Sequence, residues 1–283
     1  MKGERAASEN VSPTAYATGQ FWFDHGLSHR GLLLPQSARA GRSFRRLRGL
    51  VRLFGGGSLT AMMLARHKGI DAVLSRAIES GQVSQVIELA AGLSPRGWRF
   101  TQKYGDRIEY IETDLPQMVA LKQRLLSESK LFGPRHRVVA VDALKESGPD
   151  SLTGLAGTLD RNKGVAIVTE GLMSYLDPEA ARAVWTRMAQ ALKGFAHGVY
   201  LSDMYLRRDR RGLAMLLFRE AVQRSVRGRM FVHFETPGEA VSKLTATGFR
   251  SVTLHEPRSI AETRDLGETR GGDQVRVLEA IAT

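Results

Sequence analysis

The sequence has 283 residues and no cysteine, which excludes disulfides, thiolate metal sites and cysteine nucleophiles. Lysine and arginine outnumber aspartate and glutamate by 41 to 29, and the formal net charge of +12 favours acidic partners or a solvated basic surface. No apolar run approaches the roughly 20 residues of a membrane span, and the first residues lack the apolar core of a secretory signal, so we expect a cytoplasmic protein.

The first 58 residues form an aromatic arm followed by a basic segment. Residues 1–35 hold Tyr16, Trp22 and His25 without a clear period, and they either pack on the main domain or cover a substrate pocket. Residues 36–54 repeat apolar side chains at three- and four-residue spacing between arginines, which predicts an amphipathic helix with a basic face. That face is either solvated or meets an acidic partner or a membrane surface. We therefore divide the chain into a substrate cover, 1–58, and a cofactor-binding domain, 59–283.

From residue 59 onward, helices alternate with strands. This alternation predicts an α/β fold with a parallel sheet wound on both faces. The last two strands have no helical period between them, which favours a hairpin and one antiparallel strand at the end of the sheet. The predicted strands are Gln85–Leu89, Ile108–Thr113, Arg137–Val141, Val165–Thr169, Val199–Ser202, Ser251–His255 and Val275–Ile281. The predicted helices are Leu59–Ser80, Met118–Ser129, Pro178–Leu192, Leu213–Arg224 and Pro237–Thr247.

The first strand and the turn after it have the pattern of a nucleotide cradle. The apolar run Val86–Leu89 breaks at Ala90, Ala91 and Gly92 before Ser94 and Pro95 open a possible helix. Small residues let a ligand approach the backbone, and a helix N-terminus presents free N–H groups to it.

The second strand ends in an acid, Asp114, about 20 residues after the cradle. A carboxylate at this place can accept hydrogen bonds from both hydroxyls of a ribose. Glu112 is the alternative acceptor, because alternation along a strand puts it on the same face.

Four segments together resemble the leucine carboxyl methyltransferase family, which includes the O-methyltransferases of bacterial polyketide biosynthesis. The segments are Ala65–Asp71, Glu88–Arg96, Glu112–Pro116 with Lys122 downstream, and Thr169–Leu176. Seven strands with the last one reversed are also the plan of S-adenosylmethionine-dependent methyltransferases. The sequence departs from the family pattern at Ala90, where the family has glycine, and at Ser94-Pro95, where Asp-Thr is usual.

The resemblance implies S-adenosylmethionine as the cofactor and assigns residues to its parts. Arg66 would hold the carboxylate, since a guanidinium is a planar, always-charged fork. Asp142 and Ala143 would bind the adenine through a side-chain acceptor and a backbone N–H. Glu170 would lie beside the methionine part, where its charge favours the sulfonium and ammonium. The full set of expected cofactor residues is Arg66, Glu88, Ala90, Gly92, Asp114, Leu115, Asp142, Ala143, Glu170 and Gly171.

The sulfonium methyl is already activated, so catalysis requires mainly an oxygen nucleophile held in line and a dry site. A carboxylate needs no general base at neutral pH, whereas a phenol with a pKa of about 10 benefits from one. The candidate bases are His25, His233 and Tyr175, and the candidate substrate contacts are Tyr16, Trp22 and Tyr175. No histidine–carboxylate group has the spacing of a metal site.

Three functions fit these patterns. The first is O-methylation of a small acidic or phenolic metabolite such as a polyketide, free or on a carrier protein that docks at the basic helix. The second is RNA methylation, suggested by the charge; no catalytic cysteine, no Asn/Asp-Pro-Pro-aromatic signature and no appended RNA-binding domain accompany it. The third is a methyltransferase fold used as a non-catalytic binding module, which the altered glycine loop allows.

Overall fold

Seven strands form one sheet in the order β3-β2-β1-β4-β5-β7-β6. This is a computed structural model, and it describes residues 13–34, 58–207 and 230–283. The strands are β1 Gln85–Leu89, β2 Glu109–Asp114, β3 His136–Ala140, β4 Gly164–Thr169, β5 His197–Met204, β6 Ser251–His255 and β7 Arg276–Ile281. The described helices are α1 Pro13–Asp24, α2 Leu59–Glu79, α3 Arg96–Tyr104, α4 Pro116–Glu128, α5 Leu152–Ala156, α6 Pro178–Leu192, α7 Pro237–Ala246 and α8 Arg264–Gly267.

The expected seven-stranded α/β fold with a reversed last strand is confirmed. β1 to β5 pair in parallel, and β7 is antiparallel to both of its neighbours. The position of β7 differs from the prediction, because it lies between β5 and β6 and not at the end of the sheet. After β5 the chain passes through α7 and enters the sheet again at β6, two positions away from β5. The last strand, β7, then occupies the position between β5 and β6.

Helices cover both faces of the sheet, so the central strands are buried on both sides. Ile87 and Ile167 pack into the core on the side of α6, whereas Val86 and Val168 pack into the core on the side of α2. Side chains alternate between the two faces along each strand, and strands buried on both faces read as continuous apolar runs. The layers leave the carboxyl ends of β1 to β4 as the common edge on which a ligand can lie.

Two parts of the chain differ from the predicted elements. Residues 13–24 form α1 although their apolar side chains have no helical period, because Tyr16, Phe21 and Trp22 are all buried against other elements. The segment that was predicted only as a possible helix start becomes α3. The predicted helices at residues 36–54 and 213–224 lie outside the described residues. In the described part of the chain, no helix is both long and apolar enough to cross a membrane.

Candidate functional site

The acids predicted to bind the cofactor follow three of four neighbouring strands. Asp114 ends β2, Asp142 follows β3, and Glu170 follows β4, while the loop at Gly92 follows β1 between them. The strand order puts these ends side by side, so three inter-strand spacings of ~4.8 Å separate the outer strands by about 14 Å. The sheet edge therefore presents them as one row, long enough for an extended nucleoside-like ligand.

The loop after β1 turns sharply through two residues with positive φ. Gly92 has φ 52°, and so does Ala90, one of two non-glycine residues with positive φ in the described chain. A β-carbon makes this left-handed conformation unfavourable by ~1–2 kcal/mol. Below the turn, the buried Lys122 donates to the carbonyl of Ser94 at 2.7 Å. The loop is held in place from underneath, with its upper backbone left for a ligand.

Asp114 is oriented by the loop that it faces. Its Oδ2 accepts from the N–H of Gly92 at 2.8 Å, and its Oδ1 accepts from the N–H of Leu115 at 2.8 Å. Burial raises the pKa of Asp114, and the two N–H donors oppose that rise. Each carboxylate oxygen keeps a lone-pair position, so the group can accept two further hydrogen bonds, as a ribose diol requires.

Two exposed leucines and one free N–H mark the next part of the edge. Leu115 after β2 is 56% exposed and Leu144 after β3 is 50% exposed, which is unusual for large apolar side chains. Asp142 accepts from the N–H of Leu144 at 2.9 Å. The N–H of Ala143 has no hydrogen-bond partner among the described residues. This part of the edge can take a flat apolar ring with a polar rim.

At the other end of the row, Arg66 lies against the ends of β4 and β5. Its Nε donates to Oε1 of Glu170 at 3.0 Å, and its Nη1 lies 3.7 Å from Oδ2 of Asp203. Gly171 has φ 78° and lies so close to this guanidinium that a β-carbon would come within 3.6 Å of Nη1. Nη2 of Arg66 has no hydrogen-bond partner among the described residues, so it can bind an anion.

A fully buried arginine, Arg96, connects the elements around this end. It donates to Oδ1 of Asp71 at 2.6 Å, to Oε1 of Glu88 at 2.5 Å and to Oε2 of Glu170 at 2.5 Å. His67 also donates to Glu170, at 2.8 Å. Although burial alone would raise the pKa of Glu170, the neighbouring His67, Arg96 and Arg66 hold it well below its usual range.

Two acids considered for the cofactor have their oxygens occupied by the protein. Glu88 is 1% exposed, and its oxygens accept from Arg96 and from the hydroxyl of Tyr110. Glu112, the alternative acceptor for the diol, is equally buried, pairs with Lys122 and lies 2.8 Å from Nε2 of His136. Glu88 thus pairs with Arg96 beneath the loop. The alternative prediction that Glu112 accepts from the ribose diol is wrong, because its carboxylate is buried and paired within the protein.

The cluster around Arg96 combines basic and acidic side chains at the end of the row. Among the described residues it joins the imidazole of His67 and the guanidinium groups of Arg66, Arg96 and Arg99 to four carboxylates, namely Asp71, Glu88, Glu170 and Asp203. Most of these charges are therefore paired within the protein.

A small cavity of about 20 Å³ opens next to Asp203. Its wall is aromatic and apolar around a few polar groups, and it consists of Met173, Ser174, Trp185, Tyr200, Ser202, Asp203, Met204, Tyr205, Phe231, Val232, His233, Phe234 and Leu278. Of the three candidate bases only His233 lines the cavity. Tyr175 lies in the turn after β4, and Nδ1 of His25 donates to the carbonyl oxygen of Phe21 in α1.

The predicted substrate contacts of the arm lie on the protein side of α1. Tyr16 packs in a cluster with Leu93 of the cofactor loop, and a β-carbon on Gly92 would lie 3.7 Å from that of Ala15. Trp22 is 3% exposed and stacks on His67 with 4.2 Å between ring centroids. The described part of the arm therefore lies directly over the loop after β1, and a substrate role for Tyr16 and Trp22 stays a prediction.

The sequence did not identify the residues that connect the site, which are His67, Asp71, Arg96, Arg99, Asp203 and Tyr205. His67, Asp71 and Arg96 stand inside the segments that carry the family resemblance, and that was the available signal. Within the described ranges, no group of three histidine, aspartate or glutamate side chains could hold a metal ion.

The comparisons with known proteins agree with this geometry. The family model of leucine carboxyl methyltransferases matches residues 52–189. A protein of Frankia alni, named as a candidate S-adenosyl-L-methionine-dependent methyltransferase, is 34% identical over 146 residues, which are 50% of this chain and 49% of that protein. The chain spans about half the length of the curated relatives it matches.

Solved structures show the fold. A candidate methyltransferase from Thermobifida fusca matches with a TM-score of 0.61 and 14% identity over 88% of each chain. An O-methyltransferase family protein from Burkholderia thailandensis matches with a TM-score of 0.51 and 16% identity over 78% of this chain and 57% of its own. The chain therefore shares the seven-stranded α/β fold of these proteins.

Proposed function

We propose that the chain, of which residues 52–189 match the family model of leucine carboxyl methyltransferases, takes S-adenosylmethionine as its cofactor and methylates an oxygen of a small phenolic molecule. The observation that carries this proposal is the unpartnered, buried Nδ1 of His233 in the wall of the aromatic cavity. A carboxylate acceptor would have no use for such a group.

The row of strand ends supports the position of the cofactor. Arg66 would hold the carboxylate through its free Nη2, and Asp114 would accept from the ribose hydroxyls. Ala143 would donate its N–H to the adenine ring between Leu115 and Leu144. Bound there, S-adenosylmethionine supplies an electrophilic methyl group. Glu88, Ala90, Gly92, Asp142, Glu170 and Gly171 are proposed to shape this site from the loop and the strand ends.

The hydrogen bonds of His233 define its tautomer. Its Nε2 lies 2.8 Å from the carbonyl oxygen of Met173, which can only accept, so Nε2 carries the proton. Nδ1 then has a free lone pair. Burial lowers the pKa of His233, and the Met173 carbonyl and Asp177 oppose this only in part, so the neutral ring is favoured at neutral pH.

With the acceptor hydroxyl at Nδ1, methyl transfer needs no reactant other than the acceptor and S-adenosylmethionine. His233 would take the proton of the hydroxyl as its oxygen receives the methyl group that bound S-adenosylmethionine would supply. The products are a methyl ether and S-adenosylhomocysteine, and His233 returns its proton to solvent. The aromatic wall keeps bulk water away from His233.

The arm and the basic segment enter the proposal as accessories. We propose that residues 1–58 cover the site, which the packing of α1 over Gly92 and Leu93 supports. A polyketide-like acceptor is proposed on the family resemblance, and a carrier-bound acceptor on the charge of the arginines in residues 36–54 alone. Replacing Arg45, Arg46 and Arg48 by glutamate should then slow turnover of a carrier-bound acceptor and leave that of a free acceptor unchanged.

Transfer of a radiolabelled methyl group tests the proposal, with phenol and benzoate as acceptors. We expect methylation of phenol and a drop of about 10²–10⁴-fold in kcat for His233→Gln, because its amide can still donate to Met173 but cannot take the proton. His255→Gln, at a histidine that pairs with Glu279 on β7, is the matched control and should keep its rate. Methylation of benzoate alone, unaffected by His233→Gln, would favour the carboxylate acceptor.

A further inference from the structure

The arm meets the methionine end of the proposed cofactor site through the side chain of Trp22. Its indole ring stacks on the imidazole of His67 in α2, with 4.2 Å between the ring centroids and 27° between the ring planes. Both side chains are buried. The indole therefore covers one face of a buried histidine that belongs to the site.

His67 contacts charged side chains at both of its ring nitrogens. Nδ1 donates to Oε2 of Glu170 at 2.8 Å, and Nε2 lies 3.1 Å from Nη1 of Arg99. These contacts hold the edge of the imidazole, and the stack with Trp22 holds its plane. The position of the ring is thus set by the site on one side and by the arm on the other.

His67 is the partner of Glu170 that links this carboxylate to the arm. In the described part of the chain, Oε1 of Glu170 accepts from Arg66, and Oε2 accepts from His67 and Arg96. Trp22 stacks on the imidazole, while the two arginines reach Glu170 from α2 and α3. A contact between the arm and the end of β4 therefore runs from Trp22 through His67 to Glu170.

The helix that carries Trp22 is also anchored on the loop after β1. Gly19 packs so closely on this loop that a β-carbon there would lie 3.3 Å from Cβ of Leu93. Towards the end of α1, Phe21 and Trp22 form a buried cluster with Met63 of α2. α1 thus contacts both the cofactor loop and the residues next to Glu170.

We propose that Trp22 is a positioning residue for the cofactor, which fixes His67 so that His67 holds the carboxylate of Glu170 towards the ammonium of the cofactor. The inference rests on the placement of S-adenosylmethionine under the proposed function, but not on the identity of the acceptor. It gives Trp22 a role at the cofactor that differs from the predicted contact with the acceptor.

Two physical effects connect the indole to the carboxylate. A stack restrains the tilt of the imidazole, which hydrogen bonds at the ring edge leave free. A large apolar cover also keeps water out, so the hydrogen bonds and ion pairs beneath it are stronger. A smaller aliphatic side chain at position 22 would remove the stack and uncover the ring of His67.

The test compares two ligands that share the adenosine and differ in the amino-acid part. S-adenosylhomocysteine has the ammonium and the carboxylate, whereas methylthioadenosine has a methyl group in their place. Both affinities are measured by calorimetry on the full chain. Their ratio reports the methionine end alone, because a general loosening of α1 or of the loop changes both affinities together.

In Trp22→Leu we expect the preference for S-adenosylhomocysteine over methylthioadenosine to fall about tenfold, the effect of weakening one charge-assisted hydrogen bond. Trp22→Phe keeps a ring over His67 and should retain most of the preference. Phe21→Leu is the matched control, since Phe21 is equally buried in the same helix and its ring contacts those of Trp22 and His25. Its preference should equal that of the unmodified chain.

His67→Phe tests the same link from its other side. The new ring can still stack on Trp22, but it has no donor for Glu170. We expect the preference to fall about as far as in Trp22→Leu, and the addition of Trp22→Leu should lower it no further. His67→Phe also carries the test if Trp22→Leu does not fold, because it keeps a ring beneath the indole.

The outcomes separate this inference from the proposed function. An unchanged preference in Trp22→Leu, or in His67→Phe if the former does not fold, overturns the inference. An equal fall in Phe21→Leu also overturns it, because loss of packing in α1 would then be sufficient. Equal affinities of the unmodified chain for the two ligands contradict both the inference and the placement of the cofactor. The expected ratios without methyl transfer to phenol support the inference and contradict the proposed function.

Discussion

The ion pair between Nη2 of Arg96 and Oε2 of Glu170, at 2.5 Å, connects the first turn of α3 to the end of β4 inside the protein. Arg96 has no exposed surface, and its other two donors hold Asp71 of α2 and Glu88 of β1. One side chain thus fixes the relative positions of four elements around the site. The arrangement also keeps Glu170 ionised next to the proposed methionine end of the cofactor.

Replacing Arg96 by methionine should destabilise the fold strongly. Removing one partner of a buried ion pair typically costs ~3–5 kcal/mol, because the carboxylates left behind are buried and unpaired. We expect a loss of this size in the free energy of unfolding measured with urea. Arg96→Lys keeps the positive charge but lacks the planar fork of the guanidinium. Its free energy of unfolding should therefore lie between those of the unmodified protein and Arg96→Met.

The control for Arg96 is an ion pair at the surface. Lys103 pairs with Glu79 at 3.0 Å, with both side chains more than half exposed. Lys103→Met should leave the urea midpoint nearly unchanged. Equal midpoints for Arg96→Met and Lys103→Met would show that the buried cluster contributes no more than a surface pair.

Ala90 is expected to carry backbone strain that glycine would relieve. Ala90→Gly and Ala91→Gly both increase the freedom of the unfolded chain, but only position 90 has a positive φ, of 52°. Ala90→Gly should therefore be more stable than Ala91→Gly by about 1–2 kcal/mol in thermal or urea unfolding. A more stable Ala91→Gly would contradict the left-handed turn at Ala90.

Asp114→Ala should weaken cofactor binding without unfolding the protein. Two hydrogen bonds to a charged group contribute ~1.5–3 kcal/mol each, so we expect the dissociation constant of S-adenosylhomocysteine to rise by about hundredfold or more. Isothermal calorimetry measures this directly. Asp265→Ala is the exposed control, and an affinity equal to that control would remove Asp114 from the cofactor site.

The rate of methyl transfer to phenol should fall at acidic pH because His233 must be neutral. Burial lowers the pKa of His233 below its usual 6.5, so kcat/KM should decrease as the pH falls through that lowered value. The same shift makes a stability contribution that is present above pH 6.5 and lost as the pH falls through the folded-state pKa. A pH profile between 4 and 8 checks both, and His233→Gln should lack this titration.

Much of the fold follows from the sequence because its signals are local. The sequence predicts the strand Gln85–Leu89 and the helix Pro178–Leu192 with the same bounds that the structure shows. Asp114 is predicted at a strand end from its spacing alone, and the structure places it there. These features depend on residues that are neighbours along the chain.

The remaining features depend on residues far apart in sequence. Arg96 meets Asp71, Glu88 and Glu170 only after four elements have packed, and no spacing in the sequence shows that a guanidinium will be buried among them. α1 is helical because its aromatic side chains are buried against other elements, so its own pattern shows no period. The order of strands at the far side of the sheet likewise depends on tertiary pairing.

The insertion of β7 between β5 and β6 sets an order of assembly during synthesis. Val199 and Ser251 both pair with Ile281, so β5 and β6 share no hydrogen bonds and must wait for a strand that the ribosome makes later. Until then the chain has two unsatisfied strand edges next to apolar side chains such as Leu201. A nascent chain paused before residue 276 is therefore expected to need a chaperone that covers this seam.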